Sequence, residues 1–166
     1  NNGYVFKDTT KEYYSEAEAK FLPDRYVEGE CSHCGFEAAR SDQCDNCGWV
    51  LGSGELKNPK SKLSQSTLSL KETEHYFLDW PKMEPFLKKY FSENSGQWRG
   101  WIRSETEGWL KQGLKPRAIT RDLDWGVPLP IERIPKEKLI NGADTKRLYV
   151  WFEAVIGYFS ASREWG

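Results

Sequence analysis

The stretch CSHCGFEAARSDQCDNC, residues 31–47, contains all four cysteines of this 166-residue chain. Nine residues separate two C-x2-C pairs, and Gly35 or Gly48 directly follows each pair. Two residues between ligands let one backbone turn aim both sulfurs at one ion, and glycine tolerates the left-handed conformation that such turns often use. The spacing predicts a structural zinc site. Its ligands are Cys31, Cys34, Cys44 and Cys47.

Three alternatives to this zinc site remain open from the spacing. The cysteines could form two disulfides, stay metal-free, or act in redox chemistry. Disulfides between cysteines this close are uncommon, and a duplicated pair favours a metal over a redox role. Four thiolates fill the zinc shell, so the site is predicted to support the fold without binding substrate, and His33 is not predicted as a ligand.

Composition excludes several classes of protein. Lysine and arginine total 24 against 25 acidic residues, so charge gives no global attraction to nucleic acid. No apolar run is long enough to cross a membrane, and residues 1–20 lack the apolar core of a signal peptide. The cysteine usage suits a reducing compartment. We therefore expect a cytoplasmic protein without a membrane partner, cut at both ends from a longer polypeptide.

The N-terminal half predicts short strands joined by loops. Residues 4–6 and 25–27 are strand candidates, and residues 9–14 are expected to form a connection. Lys57, Lys60 and Lys62 form a basic run whose simplest interpretation is a solvated loop. Residues 76–78 predict a buried strand. His75 at its start is interpreted as a hydrogen-bonded structural residue.

A change to helical spacing follows the predicted buried strand. Residues 86–91 and 98–110 carry apolar side chains at helical intervals, with a break at Gly96 and a stop at Gly113. Pro81 suits the start of the first helix. The tryptophans of this part are interpreted as packing between two helices and a sheet.

Residues 148–152 form a continuous apolar run, which is typical of a strand buried on both faces of a parallel sheet. Ligands of open α/β sheets lie at the carboxyl ends of strands, so the following turn is a candidate pocket. Trp151, Ala154 and Tyr158 are spaced i, i+3 and i+7 and could line an apolar slot. The alternative, that both rings belong to the core, stays open.

Five motifs together resemble the methionyl-tRNA synthetase family. In chain order they are FLPDRYVEGEC, ARSDQCDNCG, ETEHYFLDWP, RAITRDLDWGVPLP and YVWFEAVIGY, and the resemblance runs from about residue 2 to residue 165. It implies an α/β fold in two parts. Residues 1–115 would be a connective-peptide insertion with a zinc knuckle at residues 31–47, a mixed sheet and flanking helices. Residues 116–166 would be the returning strand and helix of the Rossmann catalytic domain.

The resemblance also implies site residues. The four cysteines match the family's zinc ligands, so one structural Zn²⁺ is expected. Trp151, Ala154 and Tyr158 match residues that line the pocket for the methionine side chain, and Arg121 matches an arginine implicated in methionine binding. Aromatic edges suit a thioether. Many members have DAPIGY where this chain has EAVIGY, so Glu153 and Val155 are expected to alter the pocket wall locally.

The implied activity belongs to a whole enzyme, methionine–tRNA ligase. Such an enzyme would form methionyl-adenylate from methionine and ATP with Mg²⁺, and then transfer methionine to tRNA(Met). The family's HIGH and KMSKS motifs are absent here, so no residue is predicted as catalytic and the chain alone is expected to be inactive. The lysine run could contact the tRNA acceptor end. The alternative function is a free-standing zinc-ribbon module that binds RNA or protein.

Overall fold

The computed structural model describes residues 3–166, except the side chain of Glu153. Asn1 and Asn2, where the predicted insertion begins, lie outside the described residues. The described part contains both strands and helices, which confirms a fold of mixed α and β structure. The strands are β1 Val5–Ser15, β2 Lys20–Phe21, β3 Val27–Glu30, β4 Ala39–Arg40, β5 Lys57–Ser61, β6 Ser69–Leu78, β7 Arg117–Ala118, β8 Thr120–Asp122 and β9 Lys146–Leu148. The α-helices are α1 Trp80–Asn94, α2 Gly100–Gln112 and α3 Val150–Trp165.

The largest sheet has the strand order β2-β1-β6-β7, with antiparallel neighbours. Its centre is the long ladder between β1 and β6, which runs from Val5 opposite Leu78 to Tyr14 opposite Ser69. The prediction of a connection over residues 9–14 is wrong, because these residues complete β1. Their polar side chains hide the strand pattern, and pairing with a distant strand satisfies their backbone groups.

A smaller sheet of order β4-β3-β5 carries the cysteine stretch. The strand predicted at residues 25–27 begins later, since Asp24–Tyr26 forms a 3-10 turn that leads into β3. Val27 and both Cys31 and Cys44 are fully buried here. They belong to a hydrophobic core that also includes Tyr13, near the C-terminal end of β1. Its members are Tyr13, Leu22, Val27, Cys31, Ala39, Cys44, Leu51, Leu56 and Leu68.

The two helices predicted from periodicity are confirmed as α1 and α2. The Asp79 side chain caps α1 by accepting a hydrogen bond from the Lys82 amide, and Gly113 ends α2 with a φ of 80°. The tryptophan interpretation is wrong for two rings, because Trp101 is 69% exposed and Trp109 is 50% exposed. Helical spacing shows that side chains share a face, but it does not show what covers that face.

The C-terminal part contains the hairpin β8–β9, which is antiparallel and leads directly into α3. The predicted parallel strand over residues 148–152 is therefore wrong: β9 ends at Leu148 and α3 begins at Val150. An apolar run of this length fits a helix as well as a buried strand, so periodicity alone could not distinguish them. The run is also not buried, since Val150 is 46% exposed and Trp151 is 69% exposed.

A second hydrophobic core lies between β6 and the segment that follows α2. It buries Tyr76, Ile119, Leu129, Ile140 and Ala143. Tyr76 anchors this core, because its hydroxyl donates to the Lys138 carbonyl at 2.9 Å. The predicted boundary between residues 115 and 116 falls between α2 and β7. Both this core and the pairing of β6 with β7 join the two sides of that boundary.

Candidate functional sites

Two backbone turns of the same geometry present the four cysteines. In the first turn, the Gly35 amide donates to the Cys31 carbonyl at 3.0 Å, and the Cys31 amide donates to the Phe36 carbonyl at 2.8 Å. The second turn repeats both bonds, from Gly48 to Cys44 and from Cys44 to Trp49, at 2.9 Å each. Gly35 and Gly48 have φ values of +74° and +71°, as the sequence predicted for these turns.

The two turns bring their sulfurs together. The Sγ atoms of Cys31, Cys34, Cys44 and Cys47 all lie within 4.8 Å of one another. Cys31 and Cys47 are 4.0 Å apart, and Cys34 and Cys44 are 3.7 Å apart. A regular tetrahedron with zinc–sulfur bonds of about 2.3 Å has sulfurs about 3.8 Å apart. The four thiols therefore fit zinc, and none of them forms a disulfide.

The electrostatics of the cysteine cluster also suit a cation. The Phe36 backbone amide and the Asn46 side chain donate to the Cys34 sulfur and lower the pKa of this thiol to about 6. The Trp49 amide acts on Cys47 in the same direction, but desolvation and the neighbouring sulfurs raise the pKa of Cys47 to about 12. A divalent cation deprotonates the thiols that bind it. Metal binding here would therefore release protons.

The predicted methionine-binding residue Arg121 lies on β8, next to the start of α3. Its Nη1 donates to the carbonyls of Thr120 at 2.8 Å and Ala118 at 3.1 Å. Its guanidinium stacks on the Tyr149 ring, with the carbon Cζ 4.2 Å from the ring centroid. Two hydrogen bonds and this stacking therefore hold the guanidinium in place.

The other predicted pocket residues, Trp151, Ala154 and Tyr158, all lie on α3. The predicted spacing thus falls on one helix, where positions i, i+3 and i+7 share a face. Trp151 is 69% exposed and Tyr158 is 76% exposed, so they are not core residues of the described chain. Tyr149, the N-cap of α3, links this helix to Arg121. The three residues therefore present an apolar face without forming a closed pocket.

A cavity lies elsewhere, between β2 and the loop after β8. Its volume is about 510 Å³, and its walls include Tyr14, Phe21, Trp125 and Asp124. None of the four predicted methionine-binding residues lines it. Lys20 and Asp124 form an exposed ion pair, 3.7 Å apart, among its lining residues.

A buried polar network joins β6, β8 and β9, and sequence reasoning missed most of it. Asp122 accepts hydrogen bonds from Lys146, Thr73 and His75. Burial alone would raise the pKa of Asp122, but these three donors outweigh it and lower the pKa to about 2. Burial lowers the pKa of His75, so this side chain is neutral at physiological pH. The predicted structural role of His75 is confirmed.

A family model described as tRNA synthetases class I (M) matches residues 1–166. The chain belongs to this family. Because this match covers the whole chain, the alternative of a free-standing zinc-ribbon module is not favoured. Among the described helices, none is long and apolar enough to cross a membrane.

Class I tRNA synthetases with similar sequences are named methionine–tRNA ligase. The enzyme of Roseiflexus castenholzii is 48% identical over 165 residues, covering 99% of this chain and 27% of the relative. The Thermobifida fusca enzyme is 48% identical over 164 residues, covering 99% and 26%. A Dehalococcoides mccartyi enzyme is 50% identical over 163 residues, covering 98% and 28%. The chain thus spans about a quarter of the length of these relatives.

Solved structures support the fold of this class I synthetase chain. The Mycobacterium tuberculosis methionyl-tRNA synthetase in complex with methionyl-adenylate has a TM-score of 0.50 and 18% identity, covering 95% of this chain and 24% of that chain. The free-state structure of the same enzyme has a TM-score of 0.51 and 17% identity, covering 95% and 25%. At this identity the likeness concerns the fold alone.

Proposed function

We propose that this chain is part of a methionine–tRNA ligase that forms methionyl-adenylate from methionine and ATP with Mg²⁺ and then transfers methionine to tRNA(Met). The observation that carries the proposal is the match of the whole chain to one family model, together with relatives of 43% to 50% identity that bear this name. The enzyme would act in the cytoplasm.

Residues 1–115 act as the connective-peptide insertion, and residues 116–166 belong to the Rossmann catalytic domain. This division comes from the family resemblance, and its boundary falls between α2 and β7. The cysteine cluster lies wholly within the first part. Arg121 and α3 lie in the second part, so metal support and substrate binding are assigned to different segments.

The four thiolates hold one structural Zn²⁺. When bound, zinc joins the two backbone turns without leaving a coordination position for substrate. Cys31 and Cys44 are buried in the hydrophobic core, so the metal connects the exposed turns to the smaller sheet. The exposed Lys57 and Lys60 on β5 could then face the tRNA acceptor end. Lys57 already pairs with Glu30 at 3.2 Å, which weakens that contact.

Methionine binds against the α3 face formed by Trp151, Ala154 and Tyr158. The aromatic edges contact the thioether, and the small side chain of Ala154 leaves room for it. Arg121, whose guanidinium is held beside the start of α3 by the Tyr149 ring, attracts the methionine carboxylate or stabilises the site electrostatically. Other walls of the pocket would come from the rest of the enzyme, because Trp151 and Tyr158 are exposed here. The isolated chain should bind methionine weakly.

The full-length enzyme tests the proposed function directly. Exchange of labelled pyrophosphate into ATP should require methionine and should not occur with leucine or isoleucine in its place. The purified enzyme should also attach methionine to tRNA(Met). The isolated 166-residue chain serves as the control and should show no exchange, because it lacks the nucleotide-binding motifs. Full-length enzyme without methionine-dependent exchange would refute the proposal.

A further inference from the structure

The buried network described above is centred on one ion pair. Lys146 Nζ lies 2.6 Å from Asp122 Oδ1 and 2.7 Å from Thr73 Oγ1. The Thr73 hydroxyl in turn donates to Asp122 Oδ2 at 2.7 Å. Lys146 is 1% exposed, so its charge is removed from water and depends on these two partners. The pair joins three strands, with Thr73 on β6, Asp122 on β8 and Lys146 on β9.

His75 extends the network, and its contacts determine its tautomer. Thr120 Oγ1 accepts a hydrogen bond from the Tyr76 amide at 3.1 Å and lies 2.9 Å from His75 Nδ1. His75 Nε2 lies 3.3 Å from the Asp122 carboxylate, which can only accept. A neutral ring must therefore carry its proton on Nε2. Nδ1 then accepts from the Thr120 hydroxyl, so every polar group in this set has a partner.

The β8–β9 hairpin connects the network to Arg121 and to the start of α3. Successive side chains of a strand point to opposite faces, so burying Asp122 directs Arg121 away from the network. Asp122 and Lys146 are direct cross-strand partners in the β8–β9 hairpin. β9 then continues into Tyr149, whose amide donates to the Ile119 carbonyl at 2.9 Å and whose ring supports the Arg121 guanidinium. Fixing this hairpin therefore fixes both Arg121 and the start of α3.

A buried ion pair is a poor means of gaining stability alone. Apolar side chains of similar volume are often as stabilising, because removing two charges from water is costly. The pair does define geometry, since a displaced strand would leave the buried charge of Lys146 or Asp122 without a partner. Its position at the junction of the two proposed segments makes this property useful for substrate binding.

We propose that Lys146 and Asp122, held by Thr73 and His75, are positioning residues that set Arg121 and the start of α3 for methionine binding. This inference rests on the proposed function. The network does not touch the substrate. It acts through the β8–β9 hairpin, and its loss should raise the KM for methionine while leaving the KM for ATP nearly unchanged.

The test uses the full-length enzyme and three variants. K146M leaves the Asp122 charge buried without its main partner. The double variant D122N/K146M removes both charges, retains a hydrogen-bond acceptor for Thr73 and His75, and should recover most of the melting temperature lost in K146M. The matched control is K111M on α2, which breaks an exposed ion pair of 3.0 Å with Glu107. Pyrophosphate exchange is measured well below each variant's melting temperature.

Both network variants should raise the KM for methionine about tenfold and change the KM for ATP less than about twofold. K111M should match the wild type. A double variant that recovers both its melting temperature and the wild-type methionine KM would show that the network serves stability alone, and would overturn the proposal. Equal changes in both KM values would also overturn it. Wild-type enzyme without methionine-dependent exchange would instead refute the proposed function itself.

Discussion

The cysteine turns of residues 31–50 and helix α3 differ in how completely this chain forms them. The turns satisfy their own backbone, gather four sulfurs and bury Cys31 and Cys44 in a core. Helix α3 is regular, but Trp151, Tyr158 and Phe159 are exposed. The cysteine turns are packed within this chain, whereas α3 leaves an apolar surface exposed. A site that supports the fold can be local, whereas the proposed substrate site needs groups from several parts of an enzyme.

Of the variants that test this comparison, one that removes a zinc ligand should have the largest effect on stability. Cys44→Ser removes a buried ligand and should reduce zinc content from about one per chain to well below that value. Stability should fall by at least about 4 kcal/mol, because structural zinc contributes directly to folding. Inductively coupled plasma mass spectrometry and thermal melting measure the two effects.

Hydrogen exchange then locates the change caused by Cys44→Ser. Amides of residues 27–51 should lose protection, while those of α3 should not change. The control is Ser32→Ala, which alters an exposed position inside the first cysteine pair. Purified, reduced chain that contains no metal would contradict the zinc assignment.

Two matched valines compare the packing of the two regions. Val27 beside the cysteine turns is 0% exposed, and Val155 on α3 is 55% exposed. Val27→Ala should cost about 2 to 3 kcal/mol because it opens a cavity in the core. Val155→Ala should change stability by less than about 0.5 kcal/mol, since alanine also favours the helix. Denaturant unfolding of the 166-residue chain measures both, and equal losses would mean that α3 is packed.

The pH dependence of stability tests the network that lies between the two regions. The pKa of Asp122 is lowered to about 2 in the folded chain, against about 3.9 when unfolded. Its stabilisation is therefore complete above about pH 4 and is lost as the pH falls towards 2. Asp122→Asn should make the melting temperature depend less on pH over this interval. Asp124→Asn, at a side chain that is 72% exposed, should retain the wild-type slope.

The smallest effect concerns the turn glycines. An alanine Cβ at Gly48 would meet no atom within 4 Å, but the φ of +71° strains any residue with a Cβ. Gly48→Ala should therefore cost about 1 kcal/mol. Gly96, between α1 and α2, has equally open space and no positive φ, so Gly96→Ala should be neutral or slightly stabilising. A neutral Gly48→Ala would show that the turn does not need its left-handed conformation.

The sequence predicted what depends on neighbouring residues. Cysteine spacing anticipated the cluster, helical spacing anticipated α1 and α2, and a glycine marked the end of α2 at Gly113. Long-range pairing was not predictable in the same way. Residues 9–14 form a strand because β6 pairs with them, although Thr10 and its partner Thr73 are 63 positions apart in the sequence.

Local sequence patterns also could not predict the polar network or the methionine pocket. Thr73, Asp122 and Lys146 come from three separate strands, so no local motif announces their contact. The apolar run at residues 148–152 predicts a buried strand but fits a helix equally well, because such a run does not distinguish the two. The assignment of Trp151, Ala154, Tyr158 and Arg121 to methionine binding came from family resemblance and stays a prediction.

The kinetics of Trp151→Ala in the full-length enzyme test the central claim most directly. We expect the KM for methionine to rise about tenfold while the KM for ATP changes less than about twofold, because the ring is proposed to contact only the methionine side chain. Trp165→Ala, at the far end of the same helix and 94% exposed, is the control and should leave both KM values unchanged. Equal increases of both KM values in Trp151→Ala would contradict the account.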